Sequence, residues 1–178
     1  MNILYVSGSP RSKSNTDYLL KEALSVTGGV FLKVVDYHVE PCRSCWACLK
    51  SGECAIDDDM RQKLIPMLLK ADAIILGTPV FFNNVSAQLK AFMDRTWCLK
   101  GKLRNKIGGA IVVGRGDGAE SAITAINALF LKHEMIPANR GVQGRAFAKG
   151  EIIHDHEALQ SAGKLGRRLV ELESVLGL

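Results

Sequence analysis

Four of the five cysteines in this chain lie in one short stretch, and their spacing suits a metal centre. Cys42, Cys45, Cys48 and Cys54 form the pattern C-x2-C-x2-C-x5-C, so one loop can direct four thiolates toward a common centre. A [4Fe–4S] cluster takes four cysteine ligands, and compact C-x2-C-x2-C runs are one way to supply them. The spacing therefore predicts an iron–sulfur cluster held by a loop at about residues 41–57.

Two other interpretations of the cysteine run remain open. A four-cysteine zinc site is one, although structural zinc usually takes two C-x2-C pairs set further apart. Free or disulfide-bonded thiols are the other, and the absence of a secretory signal makes persistent disulfides less favoured. Trp46, inside the run, is expected to shield the centre or to pack at a subunit contact. The fifth cysteine, Cys98, is expected to be a small buried hydrophobic residue.

The composition favours an ordinary globular protein and gives little support to nucleic-acid binding. The 178 residues are 47% hydrophobic and 23% charged, which suits a single domain over residues 1–178. The net charge is +5, but Lys and Arg are spread along the chain and aromatic content is only 6%, so we expect a solvated surface and no nucleic-acid partner. No apolar run approaches the roughly 18 residues of a membrane span, and the first residues resemble a buried strand, so we expect a cytoplasmic location with no membrane contact.

Short apolar runs alternate along the chain with segments of helical periodicity. The helical segments begin at a cap formed by Asn15 or Thr16, at the acidic run 57–59, near Val85, near Ala122 and near Leu159. Pro66 is expected to kink or shorten the second of them. This alternation predicts an α/β fold, a five-stranded doubly wound parallel sheet of flavodoxin-like order with helices on both faces. The predicted strands are 3–6, 30–35, 73–76, 110–113 and a weaker one near 142–148.

The loop after the first strand is rich in hydroxyl groups and precedes a helix. Backbone N–H groups, hydroxyls and a helix N-terminus together suit a phosphate group, and an arginine adds a fork for phosphate oxygens. Neither G-x4-G-K-[ST] nor G-x-G-x-x-G is present. The density of hydroxyl groups at this position favours a phosphate monoester such as that of FMN, and a polar turn with a capped helix is the alternative. The predicted phosphate ligands are Ser9, Arg11, Ser12, Ser14, Asn15 and Thr16.

Two further loops follow strands that should end at the same edge of the sheet. The first contains two adjacent aromatic residues, which either pack in the core or line a flat ring system. The second is glycine-rich, and is either a flexible turn or a place where backbone approaches a ring closely. We predict that both hold the flavin ring, through Thr78, Pro79, Val80, Phe81, Phe82 and Asn83 in one loop and Gly114, Arg115 and Gly116 in the other. Asp94 and Arg95 are expected to form a solvated pair.

Several of these motifs resemble a known family. The run 7–11 (SGSPR) with 14–16 (SNT), and the run 78–82 (TPVFF) followed by 86–95 (SAQLKAFMDR), resemble the NADPH-dependent FMN reductase family of flavodoxin-like proteins. The spacing of the four clustered cysteines is similar to that of its iron–sulfur flavoprotein branch. The resemblance extends through about Met135 and is weaker beyond it.

The resemblance implies a function and a set of partners. It implies FMN and a [4Fe–4S] cluster held by the four cysteines, with electrons passing between them, and NAD(P)H as a possible electron donor. It also implies a homodimer or homotetramer in which the cluster of one subunit lies near the flavin of another, and either a redox partner protein or a small-molecule donor and acceptor. Two alternatives stay open, a cluster-free NAD(P)H-dependent flavin or quinone reductase and a cluster-bearing redox sensor. No acid–base catalytic residue is predicted.

Overall fold

Strands and helices alternate along the chain, and all the strands join one parallel sheet in the computed structural model, which describes residues 1–177. The strand order is β2-β1-β3-β4-β5, with β6 also paired to β4. This is the predicted flavodoxin-like order, and the fold class is confirmed. The strands are β1 Ile3–Ser7, β2 Val30–Lys33, β3 Ala73–Pro79, β4 Ile107–Gly114, β5 Ile136–Pro137 and β6 Val142–Arg145.

The fifth position of the sheet is shared by two short strands, whereas the sequence predicted one near 142–148. The β5 strand pairs with the start of β4, and β6 pairs with its last four residues. Pro137 has no N–H with which to continue a ladder. The chain then turns, with Gly141 at φ 129° and its N–H bonded to Asn139 Oδ1. A proline and a turn therefore divide the strand.

The helices cover both faces of the sheet. In β1 to β4, alternate side chains enter two separate cores, one under α1 and α6 and the other under α3, α4 and α5. Strands buried on both faces give the continuous apolar runs seen in the sequence. The helices are α1 Asn15–Thr27, α2 Ala47–Ser51, α3 Ile65–Lys70, α4 Ala87–Arg95, α5 Ala119–Lys132 and α6 His156–Leu176.

Some element boundaries differ from the predictions for local reasons. Ser14, not Asn15 or Thr16, caps α1, because its Oγ accepts the Asp17 N–H at 3.0 Å. Pro66 lies in the first turn of α3, and a π-helical turn over Met60–Leu64 precedes that short helix. None of the helices among residues 1–177 is long and apolar enough to cross a membrane.

Candidate flavin site and cysteine site

The carboxyl ends of β1, β3 and β4 bring the three predicted loops together around a cavity of about 160 Å³. Parallel strands place these ends at one edge of the sheet, which is the usual ligand position in such folds. Predicted residues from all three loops line it. They are Ser9, Arg11, Ser14, Asn15, Thr16, Pro79, Val80, Phe81 and Arg115, joined by Val113, Ala146 and Phe147, which were not predicted.

A buried polar network lies beneath the hydroxyl-rich loop after β1, which is the first of the three predicted loops. Ser7 Oγ donates to Asp17 Oδ1 at 2.5 Å, and Lys33 Nζ donates to Asp17 Oδ2 at 2.6 Å and to the Arg11 carbonyl at 2.6 Å. Lys33 therefore neutralises the carboxylate that lies beneath the N-terminus of α1. The helix end remains favourable for an anion despite that nearby negative charge.

Two of the predicted phosphate ligands have other contacts. The Asn15 amide donates to the Ala148 carbonyl at 2.8 Å and accepts the Gly150 N–H at 2.8 Å. It thereby fixes the segment that carries Phe147, and its backbone remains at the start of α1. Ser12 lies outside this cavity and accepts a hydrogen bond from Lys149 Nζ at 3.2 Å.

The loop after β3, which is the second of the three predicted loops, is a tight turn that exposes its two aromatic residues. Phe81 and Asn84 exchange backbone hydrogen bonds at 2.9 and 3.0 Å, and Phe82 and Asn83 between them have φ values of 48° and 59°. Two such left-handed residues define a type I′ turn. Phe81 lines the cavity, whereas the side chain of Phe82 is fully exposed. Neither aromatic packs in the core, so that alternative is excluded.

The remaining predicted ring residues do not line the cavity. Thr78 is buried, and its hydroxyl donates to the Pro79 carbonyl and accepts the Ser86 N–H, each at 2.9 Å. Gly114 packs against Val80. Phe82, Asn83, Gly114 and Gly116 are absent from the lining.

The glycine-rich loop after β4, which is the third loop, packs closely against the loop after β3 at Gly118, just before α5. A Cβ built on Gly118 would lie 2.7 Å from Asn83 Cα, and its φ of +86° is one that L-residues rarely adopt. Beside it, the Arg115 guanidinium lies 4.4 Å from the centroid of the Phe147 ring. A cation over an aromatic face is an attractive arrangement, so Arg115 joins the third loop to the segment after β6.

We expect Gly118→Ala to destabilise the protein by about 1–3 kcal/mol, because it adds both a clash and an unfavourable φ. Urea unfolding of the ligand-free protein measures this change. Gly116→Ala is the matched control, since its Cβ would meet nothing within 4 Å and its φ is ordinary. Equal unfolding free energies for the two variants would contradict the proposed packing between the loops.

Phe147 is the main contributor to this cavity that sequence reasoning missed. It is 63% exposed and lies just after β6, in a segment predicted only as part of a weak strand. An aromatic residue beside small residues and a lysine, in the run 146–150 (AFAKG), could have indicated a binding loop. Nothing in that short run indicated which loop it would contact, because the contact depends on Asn15, which is more than 130 residues away in the sequence.

The four clustered cysteines line a second cavity, of about 330 Å³. Their loop contains the short helix α2, which is flanked by Trp46 and Gly52, both in left-handed conformations. All four thiols are free, and Cys98 lines the same cavity. Within residues 1–177 no three Cys, His, Asp or Glu side chains lie close enough to hold a metal ion together. The thiols therefore share one cavity without converging.

Arg95 fixes this loop from below, and the prediction that it forms a solvated pair with Asp94 is wrong. Arg95 is 2% exposed, and its guanidinium makes a two-bond ion pair with Asp58 at 2.6 and 2.9 Å. It also donates to the carbonyls of Glu40 and Ile56, at 2.8 and 3.3 Å, and from Nε to Cys54 Sγ at 3.2 Å. Asp94 instead pairs with Lys90 at the surface.

The buried ion pair lowers the pKa of Asp58. Burial on its own would raise that pKa, but hydrogen bonds from Arg95 and from the N–H groups of Glu40 and Arg61, together with the Arg95 charge, bring it from 3.8 to about 2. The ionised carboxylate is therefore the form that the folded loop stabilises.

We expect this pair to make stability depend on pH in the acid range. Because the folded pKa lies below the unfolded one, its contribution of about 2 kcal/mol is complete above roughly pH 4 and is lost as the pH falls toward 2. Urea titrations at a series of pH values measure the slope. Asp94→Asn should preserve that slope, whereas the neutral pair Arg95→Gln with Asp58→Asn should reduce it. An unchanged slope in the neutral pair would contradict the assignment.

Cys98 is buried as predicted, and its environment favours the neutral thiol. Burial, aided by the neighbouring Cys54 and Cys48, raises the pKa of Cys98 to about 11. Its Sγ donates to the Arg95 carbonyl at 3.4 Å. Near it, the Trp46 ring stands edge-on to Trp97 with 6.1 Å between centroids. Trp46 is thus partly covered by its own chain, although it is still 54% exposed.

The fold and the strand-end cavity place the chain among flavodoxin-like proteins. The structure of Trp repressor binding protein from Bacillus subtilis superposes with a TM-score of 0.73 at 23% identity, over 92% of this chain and 97% of that one. An NAD(P)H:quinone oxidoreductase from Methanothermobacter marburgensis gives 0.68 at 16% identity, over 95% and 96%. At these identities the likeness concerns the fold.

Sequence comparison identifies the family. Residues 1–148 match the NADPH-dependent FMN reductase family. Iron–sulfur flavoproteins of Methanocaldococcus jannaschii and Methanosarcina thermophila are 38% and 33% identical, over 99% and 97% of this chain and 99% and 95% of their own lengths. The chain belongs to the NADPH-dependent FMN reductase family, in its iron–sulfur flavoprotein branch, and is a flavin-dependent oxidoreductase.

Proposed function

We propose that this protein is an FMN-dependent electron-transfer protein that passes electrons between FMN and a [4Fe–4S] cluster. The observation that carries the proposal is the presence in one chain of a flavin-type cavity at the strand ends and a separate cavity lined by four clustered cysteines. The name shared by the full-length relatives supports it.

The residues of the first cavity fit a phosphorylated flavin. Ser9, Arg11, Thr16 and the N-terminus of α1 would hold the phosphate, since together they offer hydroxyl, guanidinium and backbone donors. The cavity is smaller than the roughly 300–1,000 Å³ of usual ligand pockets. Phe81 and Arg115, which line the same cavity, would contact the flat ring. A bound flavin accepts a hydride or single electrons, and the protein supplies its position and surroundings.

The residues of the second cavity fit a four-thiolate cluster in type and number. Cys42, Cys45, Cys48 and Cys54 would hold it. Cys42 and Cys45 are exposed, whereas Cys54 is held at the base of the loop by Arg95. A bound cluster carries one electron at a time, which would connect two-electron flavin chemistry to one-electron carriers.

We further propose that a homodimer or homotetramer brings the cluster of one subunit toward the flavin of another. Phe82 is fully exposed at the tip of its turn, and Trp46 is half-exposed beside the cysteines. Exposed aromatics next to two redox sites suit a contact between copies of the chain. NAD(P)H and a redox protein are the proposed outside donor and acceptor.

Anaerobic purification followed by assays of iron, acid-labile sulfide and FMN tests the proposal. We expect about four irons and four sulfides per chain, as a cubane cluster requires, together with stoichiometric FMN. FMN without iron after reconstitution would rule out the cluster. Iron without FMN would rule out the flavin.

A second candidate is an NAD(P)H-dependent flavin or quinone reductase whose cysteines hold no cluster. It is favoured by the separation of the thiols, since no three of them lie in metal-binding proximity among the described residues. This candidate predicts FMN, no iron, and NADH or NADPH oxidation with a quinone as acceptor. The iron assay therefore separates the two functions.

A further inference from the structure

The cysteine loop contains one sulfur that is hydrogen-bonded to a buried charged group. The Arg95 Nε–H points at Cys54 Sγ with 3.2 Å between the heavy atoms. The donor cannot swing away, because the other guanidinium nitrogens bond Asp58 and the carbonyls of Glu40 and Ile56. Arg95 and Asp58 both have fully buried side chains. A rigid, dry donor on a sulfur is therefore part of the fold itself.

Such a donor favours the more negative state of the atom it contacts. A hydrogen bond to a ligating sulfur withdraws electron density and stabilises the reduced form of a cluster, which raises its reduction potential. The ion pair with Asp58 is neutral overall, so its effect decays quickly with distance. The influence of Arg95 should therefore pass mainly through the bond to Cys54.

We propose that Arg95 is a positioning residue that sets the reduction potential of the cluster through its hydrogen bond to Cys54. This inference rests on the proposed function, because it requires a cluster on the four cysteines. Arg95 also holds Cys54 in place at the base of the loop. With a cluster bound, the hydrogen bond would draw electron density from this sulfur.

The test is an anaerobic redox titration of the holoprotein, with the cluster followed by electron paramagnetic resonance. Arg95→Lys keeps a cation for Asp58 but has no Nε–H. The double variant Arg95→Met with Asp58→Asn removes the donor and leaves no unpaired buried charge, so it serves if the single variant folds poorly. Lys102→Gln is the matched control, since Lys102 contacts the same loop at the Gly52 carbonyl with no sulfur contact.

We expect both Arg95 variants to retain their iron and to become about tenfold harder to reduce, a fall of about 59 mV for a one-electron couple. Lys102→Gln should match the wild type. Unchanged potentials in iron-loaded Arg95 variants, or an equal fall in Lys102→Gln, would overturn the inference and leave the proposed function standing. Wild-type protein without iron would overturn both.

Discussion

Asp58→Ala should lower the free energy of unfolding by about 3–5 kcal/mol, the usual cost of leaving one member of a buried ion pair alone. In this variant the Arg95 guanidinium keeps its charge in a site from which water is excluded. It also loses its two strongest hydrogen bonds. Natural domains are stable by only about 5–15 kcal/mol, so a large part of the total would be lost. Urea denaturation of the metal-free protein measures the change without interference from a cluster.

The same helix provides the control for this experiment. Asp94→Ala breaks the pair with Lys90, whose two side chains are about half exposed, and it should cost about 0–1 kcal/mol. The double variant Arg95→Gln with Asp58→Asn should be less damaging than Asp58→Ala alone, because it leaves no unpaired charge. A cost below 1 kcal/mol for Asp58→Ala would contradict the role given to the pair.

The second large effect concerns iron. Alanine at any one of Cys42, Cys45, Cys48 or Cys54 should reduce cluster iron from about four per chain toward zero after anaerobic reconstitution, since on the proposed function each would supply one of four ligands. FMN content should not change, because no residue lining the flavin cavity lines the cysteine cavity. Iron, sulfide and FMN assays on the same samples give all three quantities.

Cys98→Ala is the matched control for the ligand assignment. Cys98 lines the same cavity but is buried, and its raised pKa keeps it protonated at neutral pH. This variant should keep its iron. Loss of iron in Cys98→Ala with retention in one of the four loop variants would mean that the ligand set includes Cys98.

The strands could be predicted because hydrophobic periodicity depends on local sequence, and their order is the usual one for a five-stranded doubly wound sheet of this kind. Strands buried on both faces give unbroken apolar runs, and each was followed by a helical pattern. The start of β4 was missed because Gly108 and Gly109 look like a turn. In the structure a Cβ at either one would lie 2.7 Å from Phe130 or Ile75 side-chain atoms. These glycines allow close packing in the sheet, and that information lies in residues far away along the chain.

For the two sites as well, features set by local sequence could be predicted and contacts between distant residues could not. Strand ends with hydroxyl and aromatic residues were recognisable, and most of the residues that line the strand-end cavity are among those singled out from the sequence. The roles of individual residues were harder to predict, since Asn15 bonds the segment 148–150 and Thr78 bonds its own loop. Arg95 appeared to be one half of a helical surface pair. Its true partner, Asp58, lies in a loop whose path only the folded chain reveals.

A reductive titration of the anaerobic holoprotein would test the central claim most directly. A flavin takes two electrons and a [4Fe–4S] cluster takes one, so a chain with both should take up about three. We expect about three electrons per chain, with flavin and cluster signals changing in turn. Uptake of two electrons with a flavin signal alone would contradict the electron-transfer account and indicate a reductase without a cluster.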